Sequence, residues 1–192
     1  MGKEFELKFR ADEEKIAAIA AKYGDFTSIS METTYYDTPA KDLSALHWTL
    51  RRRYENGTSV CTLKTPAPGG ARGEWETECP DILSAIPELC KLGAPAELDS
   101  LCHEGLVISC GAMFTRRAGT FTLRDCVLEI ALDQGVLLGG GRELPFCELE
   151  VEHKEGSREA VEAFARQLAD IYALKPEEKS KFARALALRK EE

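Results

Sequence analysis

Glu4, Glu6 and Lys8 stand at every second position of the segment EFELKFR, with Phe5, Leu7 and Phe9 between them. A β-strand sends successive side chains to opposite faces, so the two carboxylates and the ammonium share one face and the three apolar residues the other. Hard carboxylate oxygens suit a divalent cation, and a cation beside them suits phosphate. The ordinary alternative is a half-buried antiparallel strand whose polar face looks at water.

The same spacing recurs along the chain. Arg51 and Arg53 share a face, and Lys64 closes its strand. Glu74 and Glu76 share a face, joined by Arg72 if that strand begins early. Arg116 sits among β-formers in FTRRAG, Glu129 and Asp133 alternate in EIALD, and Glu148, Glu150 and Glu152 alternate in ELEVE against Leu149 and Val151. A solvated sheet normally mixes signs, because like charges on neighbouring positions repel. Here acids gather on the terminal strands and bases on the middle ones. If the sheet closes with this face inward, one wall of the lumen is acidic and the other basic. Unpaired buried charges cost several kcal/mol, so such a lumen calls for water, metal ions and a ligand. Divalent cations would neutralise the acidic wall and a chain of phosphates the basic one.

The elements that must carry these residues are legible from periodicity. After the first strand, a helix is expected over Asp12–Tyr23, with Ile16, Ile19 and Ala20 as its stripe and Gly24 as its stop. Strands are expected over 32–36, 48–54, 59–64 and 74–78, the middle pair joined by the hairpin signal Glu55-Asn56-Gly57. Asp37-Thr38-Pro39 reads as a turn and residues 66–73 as a loop. Residues 81–105 read as helical, interrupted at Pro87 and at Gly93-Ala94-Pro95. Further strands are expected over 107–117, 121–123, 127–132 and 146–153, then helices over 159–172 and 177–188, the last with Pro176 leading into its first turn. Gly139-Gly140-Gly141 lacks the strand-to-helix context of a phosphate loop and reads as a turn. About eight short strands favour one antiparallel sheet or barrel.

Length and composition narrow the function classes. The 192 residues suit a single domain over 1–192, and 44% apolar with 30% charged residues is ordinary for a soluble globular protein. A net charge of −8 sets the overall field against nucleic acid and anionic membrane. The seven cysteines show no C-x-x-C pair and read as reduced thiols in a cytoplasmic protein. His47, His103 and His153 lack zinc-site spacing. The charged start from Lys3 gives no signal peptide, and no apolar run reaches the ~20 residues of a membrane helix.

With these residues in view, the sequence resembles the CYTH superfamily, the triphosphate tunnel metalloenzymes. Glu4-Phe5-Glu6-Leu7-Lys8 is similar to the family's initial ELEK-type motif. YYDT at 35–38, LRRR at 50–53, TLK at 62–64, R-x-E-x-E at 72–76, Arg116, EIALDQG at 129–135, CELEVE at 147–152 and SKFARAL at 180–186 follow in family order. The nearest subgroup is the bacterial inorganic triphosphatases, which often carry a further helical domain (CHAD) without counterpart in this sequence. The resemblance implies an α+β, mainly β fold: a closed eight-stranded antiparallel β-barrel with helices packed outside and a C-terminal helix. It implies Mg2+ or Mn2+ held by Glu4, Glu6, Glu148 and Glu150, with Glu129 and Glu152 as further acidic-wall candidates. Lys8, Arg51, Arg53, Lys64, Arg116 and Lys181 would grip a triphosphate, with Arg72 and Arg184 as additional candidates. Glu74 and Glu76 would orient the arginines or a second metal, and Glu4, Glu6, Lys8 and Arg53 would carry the catalysis. The implied activity is metal-dependent hydrolysis of a phosphoanhydride, most simply in inorganic triphosphate. An adenylyl cyclase, a thiamine triphosphatase and a non-catalytic polyphosphate-binding module are the alternatives, and the expected partner in each is a triphosphate-containing small molecule.

Overall fold

Nine strands form one antiparallel sheet in the computed structural model, which describes residues 5–66 and 72–189. They are β1 (Glu6–Ala11), β2 (Thr27–Asp37), β3 (Thr49–Glu55), β4 (Thr58–Pro66), β5 (Arg72–Glu78), β6 (Val107–Thr122), β7 (Cys126–Gly139), β8 (Arg142–Gly156) and the two-residue β9 (Lys175–Pro176). Their order is β5-β4-β3-β2-β6-β7-β8-β1-β9. Side chains from β1 and from β5 line one cavity, so the sheet is rolled with its charged face inward.

Eight strands in a closed barrel were the expectation; the hydrogen-bonded sheet has nine, and among the described residues no ladder joins β5 to β1 or β9. The physical reason lies on β1. Its outer edge is taken by the segment before the last helix: Phe9 and Arg10 pair with Pro176 and Lys175, and the Glu177 amide donates to the Lys8 carbonyl at 2.9 Å. Those backbone groups are therefore unavailable to a closing strand. Proline is suited to such an edge, where it has no ladder donor to lose. The same contact displaces the expected helix start at 177. The helix α6 runs over Lys181–Leu186, capped by the Ser180 hydroxyl, which accepts from the Ala183 amide at 3.1 Å.

Helices cover the outer, apolar face of the sheet. Helix α1 (Glu13–Tyr23), capped by the Asp12 carboxylate, and α5 (Arg158–Ile171) bury Ile16, Ile19, Val161, Ala165 and Leu168 against Phe9, Leu128, Ile130, Leu149 and Val151. On β3 and β4, Leu50, Cys61 and Leu63 meet Leu43 of α2 (Asp42–Ala45), Ile82, Ile86 and Leu89 of α3 (Ile82–Lys91) and Leu98 of α4 (Glu97–Leu101). Trp48 and Trp75 pack against this second core. A third cluster, with Met31, Tyr35, Phe114, Leu137 and Phe146, lies instead on the charged inner face, where Ala185, Phe182 and Leu186 of α6 cover it and Tyr35, Phe114 and Phe182 reach the cavity, so this helix is not packed outside as expected.

Other elements depart from the expected bounds in instructive ways. The segments 107–117 and 121–123 are one strand of 16 residues, because β2 and β7 pair along both of its edges. Helix α3 runs through Pro87; the carbonyl it frees is that of Leu83, a residue 55% exposed, where water can serve it. The hairpin at 56–57 places Asn56 at φ 51° and Gly57 at φ 92°, the left-handed pair that a two-residue turn requires. Asp37 is geometric, as expected: its carboxylate accepts from the Thr38, Leu43 and Ser44 amides and fixes the start of α2.

All seven cysteines are unpaired. Burial pushes the Cys61 thiol up to about 12, and those of Cys102 and Cys110 to about 11. An unfolded thiol ionises near 8.5, so the unfolded chain sheds these protons first. The folded state therefore loses stability as pH rises from about 9 towards 11 and keeps it below that window. Alkylation at pH 8 is expected to reach Cys61, Cys102 and Cys110 far more slowly in native protein than in urea. Mass spectrometry checks this, and equal rates would contradict the assigned packing.

Candidate active site

The alternation of each strand sorts its charges into the lumen, and the register stacks them. Lys8 lies opposite Glu150 and Glu6 opposite Glu152. Asp133 lies between Arg116 and Glu148. Arg51 pairs in register with Tyr35 and Thr62, Arg53 with Thr33, Lys64 with Glu74 and Thr62 with Glu76. A slip of one residue in any strand would turn its charged set into the apolar cores outside.

The cavity so formed has a volume of about 680 Å³, and seven basic and five acidic side chains line it. Of the residues expected from sequence, Glu6, Lys8, Arg51, Arg53, Lys64, Glu74, Glu76, Arg116, Glu150, Glu152 and Lys181 are in that lining. Glu129 and Glu148 are not, and Arg184 faces a second, outer cavity. Glu4 lies outside the described residues, as does the side chain of Arg72. Arg52 points outward: it donates to the Pro80 carbonyl at 3.3 Å and stacks over Tyr54.

At one side of the lumen the charges are locked together. Arg116 grips Asp133 with two hydrogen bonds, Nε to Oδ1 at 2.8 Å and Nη2 to Oδ2 at 2.7 Å, and reaches Glu150 at 2.5 Å. Lys181 Nζ projects from α6 into the same cluster, 2.8 Å from Asp133 and 2.7 Å from Glu150, and also meets Glu148. Arg184 completes the set on Glu148. Three buried carboxylates thus face three cations. Burial pushes the Glu148 carboxyl up to about 7. Burial also opposes ionisation of Glu150, but Lys181 and Arg116 hold it well below the usual carboxylate range. Burial likewise works against charge on Lys181 and Arg116, and the carboxylates outweigh it, raising both.

The remainder of the lining is more open. Lys8 Nζ is 3.6 Å from Glu6, Lys154 is 2.8 Å from Glu152 and 3.8 Å from Glu129, and Lys64 is 3.0 Å from Glu74. Thr62 donates to Glu76 at 3.0 Å. Arg53 Nε donates to Glu55 at 2.6 Å, while burial first and Arg51 second lower its pKa. The Nε atoms of Arg51, of the outward Arg52 and of Arg184 are buried without a hydrogen-bond partner among the described residues. Buried guanidinium donors are normally satisfied.

Sequence reasoning passed over three of these residues. Asp133 was read as part of an alternating face but not as a site residue, and Lys154 continues the alternation of ELEVE by one more step. Glu55 continues that of Arg51 and Arg53, and its sign conceals that it holds an arginine in place.

Oxygens of Asp133, Glu148 and Glu150 lie within 4.8 Å of one another. Lys181 Nζ already occupies the centre of this trio, so the hard donors that could take a divalent cation are those on the open side, Glu6 and Glu152, with the free edge of Glu150. No helix among the described residues is long and apolar enough to cross a membrane.

An inorganic triphosphatase of Haemophilus influenzae is 28% identical over 150 residues, which make up 76% of this chain and 43% of that protein. The chain therefore spans less than half the length of this curated relative. Among solved structures, a Hippeastrum adenylyl cyclase candidate described as having a dominant triphosphatase activity superposes with a TM-score of 0.68 at 19% identity, covering 98% of this chain and 97% of that one. A protein of Pyrococcus horikoshii OT3 gives 0.66 at 24% identity, with 97% and 99% covered. These likenesses show the fold. The CYTH domain model matches residues 2–186, nearly the whole sequence, and the chain belongs to the CYTH domain family.

Proposed function

We propose that the protein is a metal-dependent hydrolase that cleaves a phosphoanhydride bond of inorganic triphosphate inside the cavity. One observation carries the reading: Lys8 of β1, Arg51 and Arg53 of β3 and Lys64 of β4 converge on one cavity, where burial first and Arg51 second oppose the charge on Arg53. A bound polyanion would favour all four charges. Guanidinium forks suit bidentate phosphate contact and lysines act as point charges, so Arg51, Arg53, Lys64 and Lys8 would grip the chain, with Arg116 and Lys181 at the acidic end. Arg72 and Glu4 would join from outside the described side chains. Glu74 would orient Lys64, and Glu76 would act through Thr62.

Glu6, Glu150 and Glu152 are the carboxylates best placed to hold Mg2+ or Mn2+, with Glu148 and Glu129 behind them. A divalent cation there would screen the phosphate oxygens and favour ionisation of a water. Whichever of Glu6 and Glu152 stays outside the cation's ligand set would take the proton as the water oxygen bonds to the terminal phosphorus. The bond from that phosphorus to its bridging oxygen breaks, and pyrophosphate departs while the basic wall stabilises the charge gathering on it. Closure of the rolled sheet around the bound chain by facing side chains of β5 and β1, without a ladder at the β1 edge, is part of this proposal. So is a cytoplasmic location, which the seven unpaired thiols support.

The test is phosphate release from inorganic triphosphate with Mg2+ or Mn2+, with ATP and thiamine triphosphate in parallel and EDTA as control. Rapid release from inorganic triphosphate that EDTA abolishes is the expected result. Cyclic AMP and pyrophosphate from ATP would make the protein a cyclase, and tight binding without turnover would make it a polyphosphate-binding module.

A further inference from the structure

Glu177 is 4% exposed, while its neighbour Glu178 is exposed. A buried glutamate is rare unless paired. This one accepts from Arg10 Nε of β1 at 2.5 Å and from the Lys179 amide at 3.0 Å, and it lies 3.5 Å from Arg184 Nη1 of α6. Arg184 in turn meets Glu148, the carboxylate that Lys181 also meets. Meanwhile the Glu177 amide holds the Lys8 carbonyl. One residue thus fastens the loop before α6 to β1 and supports the cation next to Lys181 on that helix.

We propose that Glu177 is a positioning residue of the substrate site, seating α6 so that Lys181 stays aimed into the cavity. Its carboxylate meets no cavity-lining side chain and acts through Arg184. Without its carboxylate, Arg184 loses one of its two anionic partners, and the six-residue helix loses the tie between its last turn and the loop before it. Lys181, whose side chain is 11% exposed, then becomes accessible. Only the consequence for substrate affinity rests on the proposed function; the seating of Lys181 does not.

Residue-resolved acetylation of amines, read by mass spectrometry, tests the seating without any ligand. Lys181 is expected to react about tenfold faster in Glu177→Ala, the size of change that loss of one charged hydrogen bond brings. Glu177→Gln keeps the shape and one acceptor, and is expected to fall between Glu177→Ala and wild type. It also serves if the alanine variant does not fold. Arg10→Ala and Glu178→Ala are expected to match wild type. For inorganic triphosphate, Glu177→Ala should raise KM about tenfold while kcat changes less than about threefold. Wild-type protection of Lys181 in both Glu177 variants overturns the proposal. So does equal exposure in Arg10→Ala, which would reduce Glu177 to a tie between the loop and β1. If wild-type protein hydrolyses no triphosphate, the hydrolase reading fails, and the labelling still decides the role of Glu177.

Discussion

Replacing Arg53 with alanine is expected to lower kcat/KM for inorganic triphosphate by about 10²–10³-fold, the range seen when one preorganised donor to developing charge is removed. Arg53 lies on the basic wall with Arg51 on the same face of β3, and Glu55 shares that face and holds it at 2.6 Å. Burial first and the neighbouring Arg51 second work against its charge, while Glu55 favours it. A polyphosphate would favour it further. Arg53→Lys restores the charge without the planar fork and is expected to recover about one order of magnitude of the loss. Folding should respond in the opposite sense, because Arg53→Ala also removes a like-charge neighbour of Arg51. A thermal scan should therefore show a midpoint equal to or above that of wild type. Steady-state kinetics on the purified variants check the first effect. A kcat/KM within about threefold of wild type for Arg53→Ala would remove Arg53 from the phosphate-binding wall.

The charged lumen was legible because a period of two carries over directly from sequence to strand. Glu6 and Lys8, Arg51 and Arg53, and Glu150 and Glu152 each fall in the lining where alternation puts them. What alternation does not encode is partnership across the sheet. Nothing in FTRRAG says that Arg116 takes Asp133 as a bidentate partner, since the two are 17 residues apart and meet only through the β6–β7 register. The edge of β1 was hidden for a different reason. Lys175 and Pro176 form a strand of two residues, too short for any periodicity, and Pro176 before a helical stripe is an equally good helix start. Tertiary pairing with Phe9 and Arg10 decided between those readings. Glu177 was invisible for the same reason. In PEEKSK two adjacent glutamates look alike, and only the approach of β1 and α6 buries the first.

Asp133→Ala is expected to destabilise the fold by about 3–5 kcal/mol, the cost of removing one partner from a buried ion cluster. Its side chain is fully buried, and it accepts two hydrogen bonds from Arg116 and lies 2.8 Å from Lys181. Without it, Glu148 and Glu150 face Arg116, Lys181 and Arg184, leaving one buried positive charge unmatched. Set against a total stability of about 5–15 kcal/mol, that loss should be plain in urea unfolding as a lower midpoint. Asp133→Asn keeps an acceptor for Arg116 and is expected to cost less. Added salt should recover little in either variant, because screening acts weakly on charges removed from solvent. An unchanged midpoint in Asp133→Ala would mean that water or the remaining carboxylates already satisfy Arg116 and Lys181. The distinction bears on function. If Asp133 carries a large share of the stability here, the acidic wall is anchored from behind by its own cations. Glu6 and Glu152, on the open side, are then the carboxylates left to serve a bound metal and its phosphate chain.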